Sequence, residues 1–363
     1  MFDRHFWENF DWWLLLSVLL IMAIGFINLN SASLAAGYPF QWKQLVWYGG
    51  GLVLALGSLK FDYRALCPYA WHIYFVIVAM LVLVLFIGKT VGGSQRWIPL
   101  GFFNLQPSEL AKIGIVIVMS SWLASDDKLE YGFIDVTKLL FLTFIPAYLI
   151  YKQPDLGTAV LVCLLSCCLI FMAGVRWIVV LTLLGVGAAS MPLAWNLLKP
   201  YQKARILAFL NPEKDPQGSG YHLLQSKIAV GSGGLFGKGY LQGTQAHLNF
   251  LPEVHTDFAF SIWAEEWGFI GSVVLILLYG LMIQRGLHIA YTSRERFGSL
   301  LAFGITAMLF LQIVINLFMV LGMLPVVGIP LPLISYGGSS VIVTMLGIGL
   351  LLNIRLRRFL FQK

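Results

Sequence analysis

The stretch TDFAFSIWAEEWGFIGSVVLILLYGLMI, residues 256–283, carries an acid at its second position and continues as a long, largely apolar run. A helix crosses the hydrocarbon of a bilayer with about 20 predominantly apolar residues, and residues 258–284 supply such a run. Asp257 stands at its rim. Glu265 and Glu266 fall about 12 Å further along the helix at about 1.5 Å per residue. Charge inside the hydrocarbon costs about 2.5–3.5 kcal/mol on insertion scales and is a functional hypothesis by default. A carboxylate at a water–lipid boundary also loses solvation, which favours its neutral form and suits it to proton transfer.

Further runs of the same kind lie at 12–32, 43–59, 70–88, 107–124, 138–151, 156–174, 177–197, 299–321 and 338–354. The chain of 363 residues is 59% hydrophobic and only 11% charged, with a mean hydropathy of +0.81. A soluble domain carries about a quarter charged residues, so this chain cannot cover itself with a polar surface. The reading is all-α: a polytopic membrane helical bundle of about ten transmembrane helices, one integral membrane domain over 1–363. A large extracytoplasmic loop, 198–257, separates spans seven and eight. A loop that long is functional or disordered, and its aromatic and leucine content argues for order. Its apolar run from Leu223 to Val230 is expected to form an amphipathic helix at the interface.

The net charge of +7 raises the question of nucleic acid. The basic residues are not gathered on one polar domain, however; they separate the apolar runs, as membrane topology requires. With the N-terminus in the cytoplasm, Lys60, Arg64, Lys128, Lys138, Arg176, Arg285, Arg294, Arg296, Arg355, Arg357 and Arg358 fall inside. The opposite short loops hold Lys43, Lys89, Arg96 and Lys152. Both termini are therefore placed in the cytoplasm, membrane lipids are the surroundings, and nucleic acid is not expected. The apolar stretch from Trp12 to Leu29 exceeds the 7–15 residues of a signal core, and Asp3, Glu8 and Asp11 dilute a positive leader. It reads as an uncleaved first span. Cys67, Cys163, Cys167 and Cys168 form no CxxC pair and no metal set with the histidines, so they read as small buried hydrophobes.

Besides the acids of 253–266, three places hold polar residues that lipid does not explain. In QPSELAK, 106–112, Glu109 and Lys112 are three apart and share a helix face, as an internal ion pair or as the charged wall of an outer cavity. In KQPDLGT, 152–158, Asp155 is placed as an N-cap. In GIPLPLISYGGSS, 328–340, Pro, Gly and Ser at membrane depth predict irregular backbone, either a plain turn or the lining of a cavity. The run GSGGLFGKG, 231–239, lacks the first Gly of a P-loop and the Ser or Thr after its Lys. It reads as a pliable outer loop, close to a sugar or pyrophosphate.

Taken together, GSQRWIPLG at 93–101, QPSELAK at 106–112, KQPDLGTA at 152–159, NPEKDPQGSGYHLLQSKIAVGSGGLFGKG at 211–239, GTQAHLNFLPEVHTDFAFSIWAEEWGFIG at 243–271 and PLPLISYGGSS at 330–340 resemble one family. These are the SEDS proteins of shape, elongation, division and sporulation, and the GTQ segment favours the elongation branch. The resemblance covers nearly the whole chain. It implies ten helices and a peptidoglycan glycosyltransferase that polymerises lipid II in the bacterial cytoplasmic (inner) membrane during elongation and rod-shape maintenance. By motif, Asp257 matches the essential aspartate and is the expected general base. Glu109, Lys112, Asp155 and Arg205 match charged residues of the central cavity, and Arg96 and Gln106 match residues near it. Lys112 with Arg205 or Arg96 is expected to hold the pyrophosphate, Glu109 to orient Lys112, and Asp155 to support them. The partner implied is a class B penicillin-binding protein. No cofactor is required on this reading; a divalent cation is compatible with the chemistry, without a predicted ligand set. A lipid II flippase is the alternative, because transporters also place charge in mid-membrane cavities. Here the charges gather at one end of several spans, which favours chemistry at one leaflet.

Overall fold

The computed structural model describes residues 10–91, 94–99, 101, 104–126, 128, 130–214, 218–247 and 255–358. Asp3, Glu8, Asp215 and Glu253 lie outside the described residues. Long helices occupy all the expected places: α1 Trp12–Ala36, α2 Phe40–Ser58, α3 Leu66–Ile87, α4 Pro107–Ser125, α5 Phe133–Lys152, α6 Leu156–Ala173 and α7 Trp177–Leu197. After the shorter α8 Pro200–Leu210, α9 Ser219–Ser232 and α10 Thr244–His247 come α11 Ala259–Thr292, α12 Arg296–Val320 and α13 Gly338–Arg357. Among the described residues, eight helices are long and apolar enough to cross a membrane. Of the other two places, α2 is diluted by Gln41, Lys43 and Gln44. In α7 the apolar helix counted over the described residues is the shorter Trp177–Leu193. The chain is a multi-pass membrane protein.

Several helices extend a few residues past their expected bounds, and charge pairing explains the two largest overruns. The fifth span, expected over 138–151, starts at Phe133, because Asp135 in its first turn is met by Lys128 at 2.8 Å. The eighth, expected to stop at 284, continues to Thr292. Arg285 gives Nη2 to Asp11 Oδ2 at 2.6 Å and Nε to both carboxylate oxygens at 3.1 Å. Asp11 also caps α1 by accepting from the Leu14 amide at 3.0 Å.

The core runs through α4, whose residues from Ala111 to Ser121 are all buried, and through α12 and α13 beside it. In contrast, α7 stands off: of its described side chains Val179 alone is buried, and Met191 and Leu193 are about 70% exposed. A helix apolar all round and unpacked on most faces is solvated by lipid.

A small sheet joins α3 to α4. β1 Lys89–Val91 pairs antiparallel with β2 Ser94–Pro99, which pairs with β3 Asn104–Leu105. It is a local addition to the all-α expectation and carries Arg96.

The glycine-rich run does not form the pliable outer loop expected. α11 is broken at Gly268, whose φ of 64° lies in the left-handed region. A helix break at this depth frees carbonyls and amides that lipid cannot satisfy, and residues 233–239 take them up. The amides of Lys238 and Gly239 donate to the carbonyls of Glu265 and Glu266 at 3.0 and 3.1 Å. The amides of Phe269 and Ile270 donate to Gly234 and Leu235 at 2.9 and 3.1 Å. A Cβ on Gly268 would lie 2.3 Å from the Gly237 nitrogen, so the approach requires glycine. The expected helix forms as α9, with one face docked on the protein beside this plug. Leu223, Ser226 and Ala229 are buried, and Ser226 Oγ bonds Ser261 Oγ at 2.9 Å and the Val320 carbonyl at 2.7 Å.

Candidate active site

The linker between α12 and α13 cannot be helical through its middle, because Pro325, Pro330 and Pro332 lack amide donors. Its carbonyls therefore need partners, and side chains from several elements supply them. Asn316 Nδ2 donates to Ile329 at 2.8 Å, Tyr279 to Pro332 at 2.6 Å, Tyr48 to Leu333 and Gln44 Nε2 to Ser335 at 3.1 Å. The linker's own groups complete the lattice: Gly337 N donates to Gln44 Oε1 at 3.2 Å and Tyr336 N to the His255 carbonyl at 2.7 Å.

This linker gathers the site. Arg205 on α8 donates Nη1 to the Val326 carbonyl at 3.3 Å. The next carbonyl, Val327, lies so close to Gly157 that a Cβ there would sit 2.4 Å from it. The next residue, Gly328, has a φ of 74°, and a Cβ on it would be 3.3 Å from Asp257 Oδ2. Three adjacent residues, spanning roughly 7 Å of backbone, thus touch Arg205, the start of α6 and Asp257. Asn316 Nδ2 also donates to the Asp257 carbonyl at 2.9 Å, so one amide holds both the acid's backbone and the linker. Asp257 itself is half-buried in the turn that opens α11.

Asp155 organises the second group. Its Oδ1 accepts from the Thr158 amide at 3.1 Å, and Oδ2 accepts from Thr158 Oγ1 at 3.0 Å, which makes it the N-cap of α6. Oδ2 also faces Arg96 Nη1 at 3.6 Å and Gln106 Nε2 at 3.4 Å. Ser339 at the start of α13 joins them, accepting from the Gln106 amide at 3.1 Å. Capping and ion pairing are the work of one carboxylate.

Glu109 and Lys112 stand apart from this group. Lys112 is 1% exposed and gives its ammonium to both Glu109 oxygens at 2.8 Å. That is the internal ion pair of the two readings, and Lys112 is not open to a pyrophosphate in this structure. Glu265 and Glu266 likewise turn inward, Glu265 to Lys238 and Thr244 and Glu266 to Ser31. His255 stacks on Phe40 at 4.1 Å, with Tyr336 alongside. Burial pushes the Tyr336 hydroxyl above its ordinary range. Among the described residues no three His, Cys, Asp or Glu side chains come together as a metal site.

Asn316, Gln44, Tyr48 and Tyr279 carry no charge, and charge is what marks a residue within an apolar span. Their signal is an amide or hydroxyl inside an apolar helix, where it must find a partner.

Acids and arginines gathered around one irregular linker, inside a many-helix membrane bundle, define a membrane-embedded enzyme scaffold. The chain belongs to the FtsW/RodA/SpoVE family of cell cycle proteins, whose model matches residues 10–358. It is 39% identical to the peptidoglycan glycosyltransferase MrdB of Escherichia coli K12, over 99% of this chain and 98% of that protein. It is 40% identical to a probable peptidoglycan glycosyltransferase FtsW of Trichlorobacter lovleyi, over 95% of this chain and 93% of that one. Among solved structures it is similar to the rod shape determining protein RodA of Thermus thermophilus, 34% identical with a TM-score of 0.72, covering 96% and 98% of the two chains. It is also similar to a chain from a peptidoglycan synthase complex studied for the coordination of polymerization and crosslinking. That likeness is 36% identical with a TM-score of 0.84, covering 97% and 99%.

Proposed function

We propose that this chain, a peptidoglycan glycosyltransferase, polymerises lipid II at the 321–337 linker, with Asp257 as general base. The observation that carries the reading is the meeting of Asp257, Arg205 and the Asp155 end of α6 on three consecutive residues of that linker. The acceptor sugar hydroxyl attacks the donor's anomeric carbon and gives its proton to Asp257. The bond from that carbon to the pyrophosphate oxygen breaks, and the polyprenyl pyrophosphate leaves with the electron pair. Arg205 is exposed and Arg96 about one-third exposed, and they offset the charge developing on the leaving group. Asp155 and Gln106 position Arg96, and the Glu109–Lys112 pair fixes the outer end of α4.

On this reading the protein lies in the bacterial inner membrane with both termini in the cytoplasm and 198–257 outside. It acts in cell elongation with a class B penicillin-binding protein as partner, a reading supported by the structural likeness to a chain of a synthase complex.

The test is strand synthesis from labelled lipid II in detergent, where no two sides exist, by parent and Asp257→Asn protein. Loss of about 10²–10⁴-fold with an intact fold is expected for removal of a general base. Near-parental synthesis by the variant rules Asp257 out, and lipid scrambling without polymer in the parent supports a flippase instead.

A further inference from the structure

When two lipid II molecules are joined, one polyprenyl pyrophosphate leaves and the other stays on the product. Two pyrophosphates must therefore be held at once, and Arg205 with Arg96 serves only the one that leaves. Three lysines border those arginines. Lys152 ends α5, three residues before the Asp155 that faces Arg96. Lys199 directly precedes α8, and Lys203 follows it by one helical turn on the same side.

Each ammonium lies over an aromatic ring: Lys152 over Tyr148 at 5.4 Å, Lys199 over Tyr151 at 5.9 Å and Lys203 over Trp195 at 5.9 Å. Tyr151 adjoins Lys152 on α5 and Trp195 belongs to α7, so these contacts tie the ends of α5, α7 and α8 together. A ring face attracts a cation but offers no lone pair to the three N–H donors of an ammonium. Among the described residues none of the three lysines pairs with a carboxylate. Lys203 and Arg205 are two apart on α8, and side chains at that spacing do not face each other. Arg205 turns to the Val326 carbonyl of the linker and Lys203 to Trp195. Snorkelling accounts for a lysine stem laid along an apolar surface. It does not account for three ammoniums fixed by rings at adjoining helix ends, each without a counter-ion.

We propose, resting on the glycosyltransferase reading, that Lys152, Lys199 and Lys203 form a second pyrophosphate subsite. It holds the lipid-linked sugar that keeps its carrier, while Arg205 and Arg96 serve the one that loses it. Lysine binds phosphate as a point charge with rotatable donors. The rings set the ammoniums at the rim of the bundle, the depth of a pyrophosphate that joins a polyprenyl chain in the bilayer to a sugar outside it.

The experiment titrates full-length protein in detergent with labelled undecaprenyl pyrophosphate, which carries no sugar, cannot polymerise and so binds independently of Asp257 chemistry. The parent is expected to bind two equivalents. In the double variant Lys199→Gln/Lys203→Gln the second equivalent is expected to weaken about 25-fold, about fivefold for each cation. Lys199→Arg/Lys203→Arg, which keeps both charges, is expected to restore it. In strand synthesis the Gln variant is expected to raise the lipid II KM more than it lowers the turnover number. Lys43→Gln is the control, because Lys43 is exposed and held by Tyr38 on another helix. Excess phosphatidylglycerol is expected to leave both equivalents bound to the parent. A single equivalent in the parent, two undiminished in the Gln variant, equal loss in the Lys43 control, no restoration by arginine, or displacement of the second equivalent by phosphatidylglycerol each overturn the subsite. Any of these leaves the glycosyltransferase reading standing, since that reading falls only if the parent makes no strands.

Discussion

Asp257 and Glu265 belong to one stretch of chain, about 12 Å apart along the helix, and their surroundings are opposite. Glu265 is fully buried, and its carboxylate accepts from Lys238 Nζ at 2.6 Å, from the Thr244 amide at 2.8 Å and hydroxyl at 2.9 Å, and from the Gln245 amide at 3.2 Å. Asp257 is half-buried; Asn316 holds its backbone, and its carboxylate lies against a glycine that offers no side chain. The deeper acid is surrounded by donors that fix it in place. The shallower one is held through its main chain by Asn316 and stays partly exposed. In a membrane enzyme, depth alone does not mark a catalytic carboxylate; exposure separates these two, Glu265 being fully buried and Asp257 only half-buried.

Near-parental synthesis by Asp257→Asn would break the contrast; the largest effect expected is its loss of synthesis, about 10²–10⁴-fold, with the unfolding midpoint in detergent unchanged. Glu265→Gln is expected to do the reverse. Removing one partner of a buried ion pair costs about 3–5 kcal/mol; Lys238 is 27% exposed, which puts the loss near the lower end, about 3 kcal/mol. Thermal unfolding measures it, and a folded Glu265→Gln protein as inactive as Asp257→Asn would erase the distinction. Asn316→Ala leaves the carbonyls of Asp257 and Ile329 without their shared donor, a cost of about 1–3 kcal/mol. Turnover is expected to fall about tenfold with little change in the lipid II KM, as the proposed role of Asp257 as base, held in place through Asn316, requires. A parental turnover number would detach Asp257 from the linker. The smallest effect is that of Gly328→Ala, where a left-handed φ costs about 1–2 kcal/mol and the new methyl group meets Oδ2 at 3.3 Å. Synthesis is expected to drop a few-fold, and Gly322→Ala, which meets the flexible Lys227 side chain instead, is its control for linker strain.

Much of the scaffold was legible because lipid imposes a simple rule: long apolar runs mark helices, and charges at their ends mark boundaries. Asp155 as a cap followed from Pro154 before it and the apolar run after it. The break at Gly268 was not legible, since glycine within an apolar run is ordinary in membrane helices and nothing local separates a tolerated glycine from a required one. The answer lay in the chain near Gly237, joined to it only by the fold. The Arg96–Asp155 contact was hidden for the same reason, because the strand carrying Arg96 and the helix capped by Asp155 are distant in sequence. Lys112 shows the converse: its helix spacing from Glu109 was correct, yet whether the pair faced a cavity or the interior depended on neighbouring helices.

The broken helix also bears on the order in which the protein is made. Residues 233–239 leave the ribosome before the span they complete, so α11 enters the bilayer with the donors and acceptors for its gap already synthesised upstream. A chain with the two segments in the reverse order would hold bare peptide groups in hydrocarbon until the plug arrived, at several kcal/mol for each. The succession of loop and span is thus itself a safeguard during biogenesis, and a circular permutant opened between them would forfeit it.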